Sequence, residues 1–212
     1  ISGGVFLGIH DISAGVASAS LGVNEEATYN TITLSGAPVL NNSNLLGGAT
    51  SNGGDAFTGN TLNILNRGIS AKSVRNFANY NFNLPADTVS GDTIFRVTTN
   101  TNISESTIGL QMNGQAPLLN AGAKITLLNT SGNNIIANHI NNKAQVSHGI
   151  SRIYEFDIFT DANNLYASIG EIKANPQLPA LMASDSSALI TVAQSAKIVG
   201  SSIKNALQQT SA

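Results

Sequence analysis

Apolar and polar residues alternate with a period of two through most of the chain, and the runs are broken by turns rich in Gly, Asn and Ser. Successive side chains of a strand point to opposite faces, so this alternation predicts half-buried strands. The clearest runs are Tyr80-Phe82-Leu84, ended by Pro85, then Thr93-Phe95-Val97, Ile108-Leu110-Met112, Ile125-Leu127, Tyr154-Phe156-Ile158 and Leu165-Ala167-Ile169. Asn113-Gly114 follows the third of these, and Asp161-Ala162-Asn163-Asn164 separates the last two. Both read as hairpin turns. Beyond Asn175-Pro176-Gln177-Leu178-Pro179 the period changes. Leu189, Val192, Ala193, Ala196, Val199, Ile203 and Leu207 recur at helical spacing, which predicts an amphipathic helix with Ser184 as N-cap and Asp185 in its first turn.

The N-terminal third repeats loosely. Tyr29-Asn30-Thr31-Ile32-Thr33-Leu34 matches Gly59-Asn60-Thr61-Leu62-Asn63-Ile64 at an offset of 30 residues. Phe6-Leu7-Gly8 pairs with Leu45-Leu46-Gly47 at an offset of 39, which implies an insertion in the earlier copy within 11–26. Imperfect copies of this length fit a solenoid of stacked parallel strands. Composition strengthens the reading. Only 10% of residues are charged, against about 25% in ordinary soluble proteins, while the chain holds 27 Asn, 23 Ser, 17 Thr and 20 Gly. Identical neutral side chains stack coil on coil without the repulsion that stacked like charges suffer, and Gly and Asn tolerate the left-handed backbone angles of tight corners.

Charge divides the chain. Residues 1–66 carry Asp11, Glu25, Glu26 and Asp55 and no Lys or Arg; the remainder carries ten basic and eight acidic residues. The expected organisation is a parallel β-helix over 1–66, a hairpin-rich β segment over 67–175, and a linker with the helix over 176–212. Nine of the 11 aromatics fall between 57 and 166, which marks a denser core there. Phe77, Tyr80, Phe82, Leu84, Phe95, Tyr154, Phe156 and Ile158 are the expected folding nucleus.

Several functions are disfavoured. A net charge of −2 offers nothing to neutralise a row of phosphates, so no nucleic-acid partner is expected. No run of about 18 apolar residues is present to cross a membrane as a helix. The absence of Cys removes disulfides, thiolate zinc sites and a Cys nucleophile. The chain opens at Ile1 without a charged n-region, so it reads as a mature or excised piece with no signal peptide. His10-Asp11 has no G-x-S-x-G partner, and His139 and His148 lack metal-ligand spacing. Gly53-Gly54-Asp55 and Asp161-x-Asn163 each hold part of a calcium-binding repeat, but turns account for both. Glu155 and Asp157 read as the solvated side of a strand. No catalytic, cofactor or metal residues are expected, and the chain is read as a non-enzyme.

In order and spacing, Gly53-Gly54-Asp55-Ala56-Phe57-Thr58-Gly59-Asn60-Thr61-Leu62-Asn63, then Val74-Arg75-Asn76-Phe77-Ala78-Asn79-Tyr80-Asn81-Phe82-Asn83-Leu84-Pro85, Gly91-Asp92-Thr93, Asn163-Asn164-Leu165-Tyr166 and Asn175-Pro176-Gln177 resemble the C-terminal part of bacterial autotransporter passengers. The resemblance implies a right-handed parallel β-helix whose C-terminal autochaperone folds first outside the cell, followed by a helix that leads into an outer-membrane β-barrel. It implies type V secretion to the surface of a Gram-negative cell, with the chain's own β-barrel as partner. The expected function is a non-catalytic stalk and folding nucleus for upstream coils. The alternative is an adhesin surface that binds host or cell-surface glycans or proteins, or self-associates.

Overall fold

The computed structural model describes residues 1, 10–17, 26–113, 117–148 and 152–176. Among these the only regular elements are strands. The chain falls into two compact units, Ile1–His148 with Ile153–Lys173, and Gly149–Arg152 with Ala174–Ala212; the second is described only at residues 152 and 174–176.

The first unit is a β-solenoid. Its first coil carries β1 (His10–Ser13), β2 (Val16–Ala17) and β3 (Thr31–Leu34); the second carries β4 (Val39–Leu46), β5 (Ala49–Thr50) and β6 (Thr61–Ile64). The third has β7 (Ile69–Arg75) and β8 (Asn79–Asn83), and the fourth β9 (Thr93–Val97), β10 (Thr101–Asn102) and β11 (Thr107–Gln111). β12 (Lys124–Asn129) and β13 (Ile135–Ile136) begin a further coil that does not complete. A meander of β14 (Lys143–His148), β15 (Arg152–Thr160) and β16 (Asn164–Ala174) takes its place. The largest sheet runs β1-β4-β7-β9-β12-β16-β15-β14 and the next β3-β6-β8-β11, two short sheets pair β2 with β5 and β10 with β13, and pairing is parallel throughout the solenoid.

Register explains the alternation. Ile32, Leu62, Tyr80 and Ile108 stack in one inward column, and Leu34, Ile64, Phe82 and Leu110 in the next. All eight are buried. On the facing sheet Ile69, Phe95 and Leu128 form a third column. Each fully buried side chain of this size contributes about 1.5–3 kcal/mol relative to exposure. The columns merge into one core that continues into the cap, where Tyr154, Phe156 and Ile158 of β15 and Leu165, Ala167 and Ile169 of β16 point inward. β16 pairs antiparallel with β12 and β14 lies against β11, so the meander covers this end of both sheets. An uncovered solenoid end would leave two rows of unpaired backbone groups open to aggregation.

The structure refines four expectations. The 30-residue repeat is the register of β3 on β6, Thr31 beside Thr61. The 39-residue offset is not a register: Leu45 and Leu46 lie beside Ile12 and Ser13, an offset of 33. Asn113-Gly114 does not turn β11 back on itself, because β11 pairs in parallel with β8 and β12 joins the other sheet. Stacking Ile108 and Leu110 over Tyr80 and Phe82 buries both faces of that column, which an isolated hairpin cannot do. Finally, parallel pairing crosses Arg67 without a break and continues to β12, so the change of composition there is not a change of pairing. Antiparallel pairing begins only with the cap, whose Asp161 turn is the hairpin read from the sequence. The amphipathic helix expected over 184–207 lies outside the described residues.

Candidate functional site

Three polar constellations stand out, and none was visible as a motif. The first is the outer face of the smaller sheet, where Thr31, Thr61, Asn79 and Thr107 form one column and Thr33, Asn63, Asn81 and Gly109 another. Asn81 Nδ2 donates to Asn63 Oδ1 (2.9 Å), and Asn63 Nδ2 donates to Thr33 Oγ1 (3.2 Å). Asn79 Nδ2 donates to Thr61 Oγ1 (3.4 Å). Every donor points toward β3. Gly109 ends the second column on β11, the last strand of this sheet, and a Cβ there would lie 2.4 Å from Asn81 Oδ1.

The second constellation is a corner built on a buried amide. Asn60 is fully buried just before β6. Its Nδ2 donates to Ala27 O (2.9 Å) and Ala56 O (2.7 Å), and its Oδ1 accepts from Asn30 N (2.8 Å) and Asn30 Nδ2 (3.2 Å). A buried amide costs free energy unless its partners are supplied, and here both donors and the acceptor are used. Gly47 and Gly48 bring the chain past this corner; Cβ atoms there would meet Asn76 O at 2.0 Å and Ala27 O at 2.1 Å.

The third is the outer face of the cap, where charge is concentrated. Lys143 Nζ lies 2.7 Å from Asp157 Oδ1 and 3.2 Å from Glu155 Oε1; Lys173 Nζ lies 2.9 Å from Glu155 Oε2 and 3.2 Å from Glu171 Oε2. Hydrogen bonds from Lys173 and then Lys143 hold the Glu155 carboxyl below its ordinary value; bonds to Asp157 and then Glu155 raise Lys143, and bonds to Glu155 and then Glu171 raise Lys173. At the turn, the Asn163 backbone N–H, with the Asn164 side chain and the Tyr166 hydroxyl, lowers Asp161. The Tyr166 ring packs beside Phe159 (centroids 5.3 Å apart), with Lys124 Nζ 4.4 Å from the Tyr166 centroid. These groups neutralise one another as ion pairs and turn ligands.

A pH dependence follows. A carboxyl whose folded value is depressed contributes stability that is present above its unfolded value and lost as pH falls through the folded one. Glu155 and Asp161 therefore stabilise the cap near neutrality and cease to do so in acid. The raised lysines act in the opposite sense and lose their contribution only in strong base. The thermal midpoint falls between pH 7 and pH 3, and Glu155→Gln has a shallower dependence over that interval, as melting curves at matched ionic strength will register.

All eight residues assigned to the nucleus, Phe77, Tyr80, Phe82, Leu84, Phe95, Tyr154, Phe156 and Ile158, are buried in the one core. Phe77 and Tyr80 meet edge to face at 5.7 Å. His139 contacts Glu105 Oε1 through Nδ1 (2.5 Å) on an exposed turn, and the side chains of His10 and His148 lie outside the described set. Asp55 Oδ1 accepts from the Phe57 and Thr58 backbone N–H groups, so that carboxylate closes a turn. Among the described residues no three His, Asp or Glu side chains gather as a metal site. Arg67, read only as a compositional boundary, ties down the loop after β8. It donates to Asp87 O (2.9 Å) and Asp92 Oδ2 (2.8 Å), and also meets the Asp87 carboxylate.

The class defined by this geometry is a β-solenoid with an antiparallel cap at one end. Set against known protein families, curated proteins and solved structures, the chain finds no match.

Proposed function

We propose that this chain is the non-catalytic stalk and folding nucleus of a surface-displayed autotransporter passenger, supporting export and folding of coils stacked ahead of it. One observation carries the reading: among the described residues, the six largest fully buried side chains, Tyr80, Tyr154, Phe77, Phe82, Phe95 and Phe156, all lie beyond Arg67, in the rungs next to the cap and in the cap itself. A solenoid coil contacts only its neighbours, so a stack propagates from whichever rung is stable first. The aromatic rungs and their cap supply such a start, and the described residues ahead of Arg67 hold no fully buried aromatic to match it. A fragment of residues 1–66 therefore shows no cooperative unfolding transition in urea, while the full chain does. Cooperative refolding of that fragment would refute the proposal.

A second reading rests on the Asn and Thr columns, a neutral surface of amides and hydroxyls suited to hydrogen-bonding sugars. Saccharide binding on a glycan array, lost on substituting Asn63 and Asn81 with Ala in a folded variant, would favour this adhesin reading over the stalk.

A further inference from the structure

The two ends of the solenoid differ. The cap covers one end, whereas at the other, among the described residues, no further strand lies beside β1 and β3. The hydrogen bonds of β3 show which of its groups face this edge. Asn30 O and Leu34 O accept from Thr61 N (2.8 Å) and Leu65 N (2.9 Å), so these carbonyls face β6. Peptide groups in a strand alternate in direction, and the N–H and C=O of Thr31, Thr33 and Ser35 therefore face the edge. Ile1 is seated on two of them. Its nitrogen donates to Thr33 O (2.8 Å), and its carbonyl accepts from Ser35 N (2.8 Å). This two-bond pattern belongs to a parallel ladder with Ile1 beside Leu34, at the head of the Leu34-Ile64-Phe82-Leu110 column. One place along, Thr31 O and Thr33 N are spaced to hold the next such residue, beside Ile32.

We propose that the β3 edge is an acceptor for an extended polypeptide strand running parallel to β3, with branched apolar and neutral polar residues at alternate positions. The apolar positions would continue the columns headed by Ile32 and Leu34. The polar ones would continue the columns of Thr31 and Thr33, whose side chains are exposed on the outer face. Main-chain bonds hold a strand added to a sheet edge, and alternate side chains select it. A two-fold related copy is a poorer occupant, because it would bring β3 against β3 antiparallel and displace Ile1 from its register.

The test uses the full chain and two synthetic peptides with free carboxyl ends, Asn-Val-Thr-Val-Thr and Asn-Asp-Thr-Asp-Thr, each at millimolar concentration. Amide exchange at Thr33, followed by NMR, slows about tenfold with the first and is unchanged with the second. Equal slowing by both peptides, or slowing by neither, would overturn the proposal. So would Thr33 protection that grows with protein concentration in the absence of peptide, matched by a dimer in sedimentation, since a second copy would then occupy the edge.

Discussion

Asn60→Leu lowers the unfolding free energy by about 4 kcal/mol, read as a shift of the urea midpoint at unchanged slope. The substitution keeps the branched skeleton of the side chain and raises its hydrophobicity, so a simple burial argument predicts no loss. The loss arises from what is left behind. Ala27 O and Ala56 O lose their donor, and Asn30 N loses its acceptor, at a corner closed by Gly47 and Gly48. Each orphaned buried group costs about 1–3 kcal/mol. Asn60→Ala has a loss of similar size, because it opens room for water without restoring the fixed geometry. The half-buried amide Asn63 on the outer face is the control, and Asn63→Ala changes the midpoint little.

Phe82→Asp abolishes the fold. Phe82 is fully buried between Ile64 and Leu110 in its column. Truncating a buried Phe costs about 3–5 kcal/mol, and a carboxylate without a partner adds several more. The sum approaches the whole stability of a typical domain, about 5–15 kcal/mol. Circular dichroism of the variant shows no strand signal at 25 °C, whereas Phe82→Leu folds with a loss of about 1–1.5 kcal/mol. A native-like spectrum for Phe82→Asp would remove this rung from the nucleus.

The extent to which this fold was legible in the sequence depended on the coil. Asn30 and Asn60 both precede a strand at a corner, so the first two rungs read as a repeat of 30. The next rung comes after only 18 residues, Thr61 to Asn79, and the one after that 28 later, at Thr107. Corners absorb such differences without disturbing strand register, and a search for a fixed period misses them. The alternating runs of β8, β9, β12, β15 and β16 were legible because each has one buried face. Parallel or antiparallel partnership was not, since Ile108 and Leu110 bury the same way in either. The buried role of Asn60 was also hidden: Asn is common in exposed turns, and only the neighbouring coil brings Ala27 O and Asn30 to it. Lys143 and Lys173 reach Glu155 across strands, a contact that linear spacing does not encode.

The amides on the outer face of the smaller sheet also have a direction. Asn81 gives to Asn63, and Asn63 gives to Thr33. Thr33, having accepted, is left with its hydroxyl proton to give onward. The row is therefore a relay of aligned bond dipoles, each polarising the next, with its accepting end at Gly109 and its donating end at β3. Side chains thus tell the two ends of the solenoid apart as clearly as the backbone does. A rung offering an acceptor at the β3 end continues the relay, and one offering a donor opposes it.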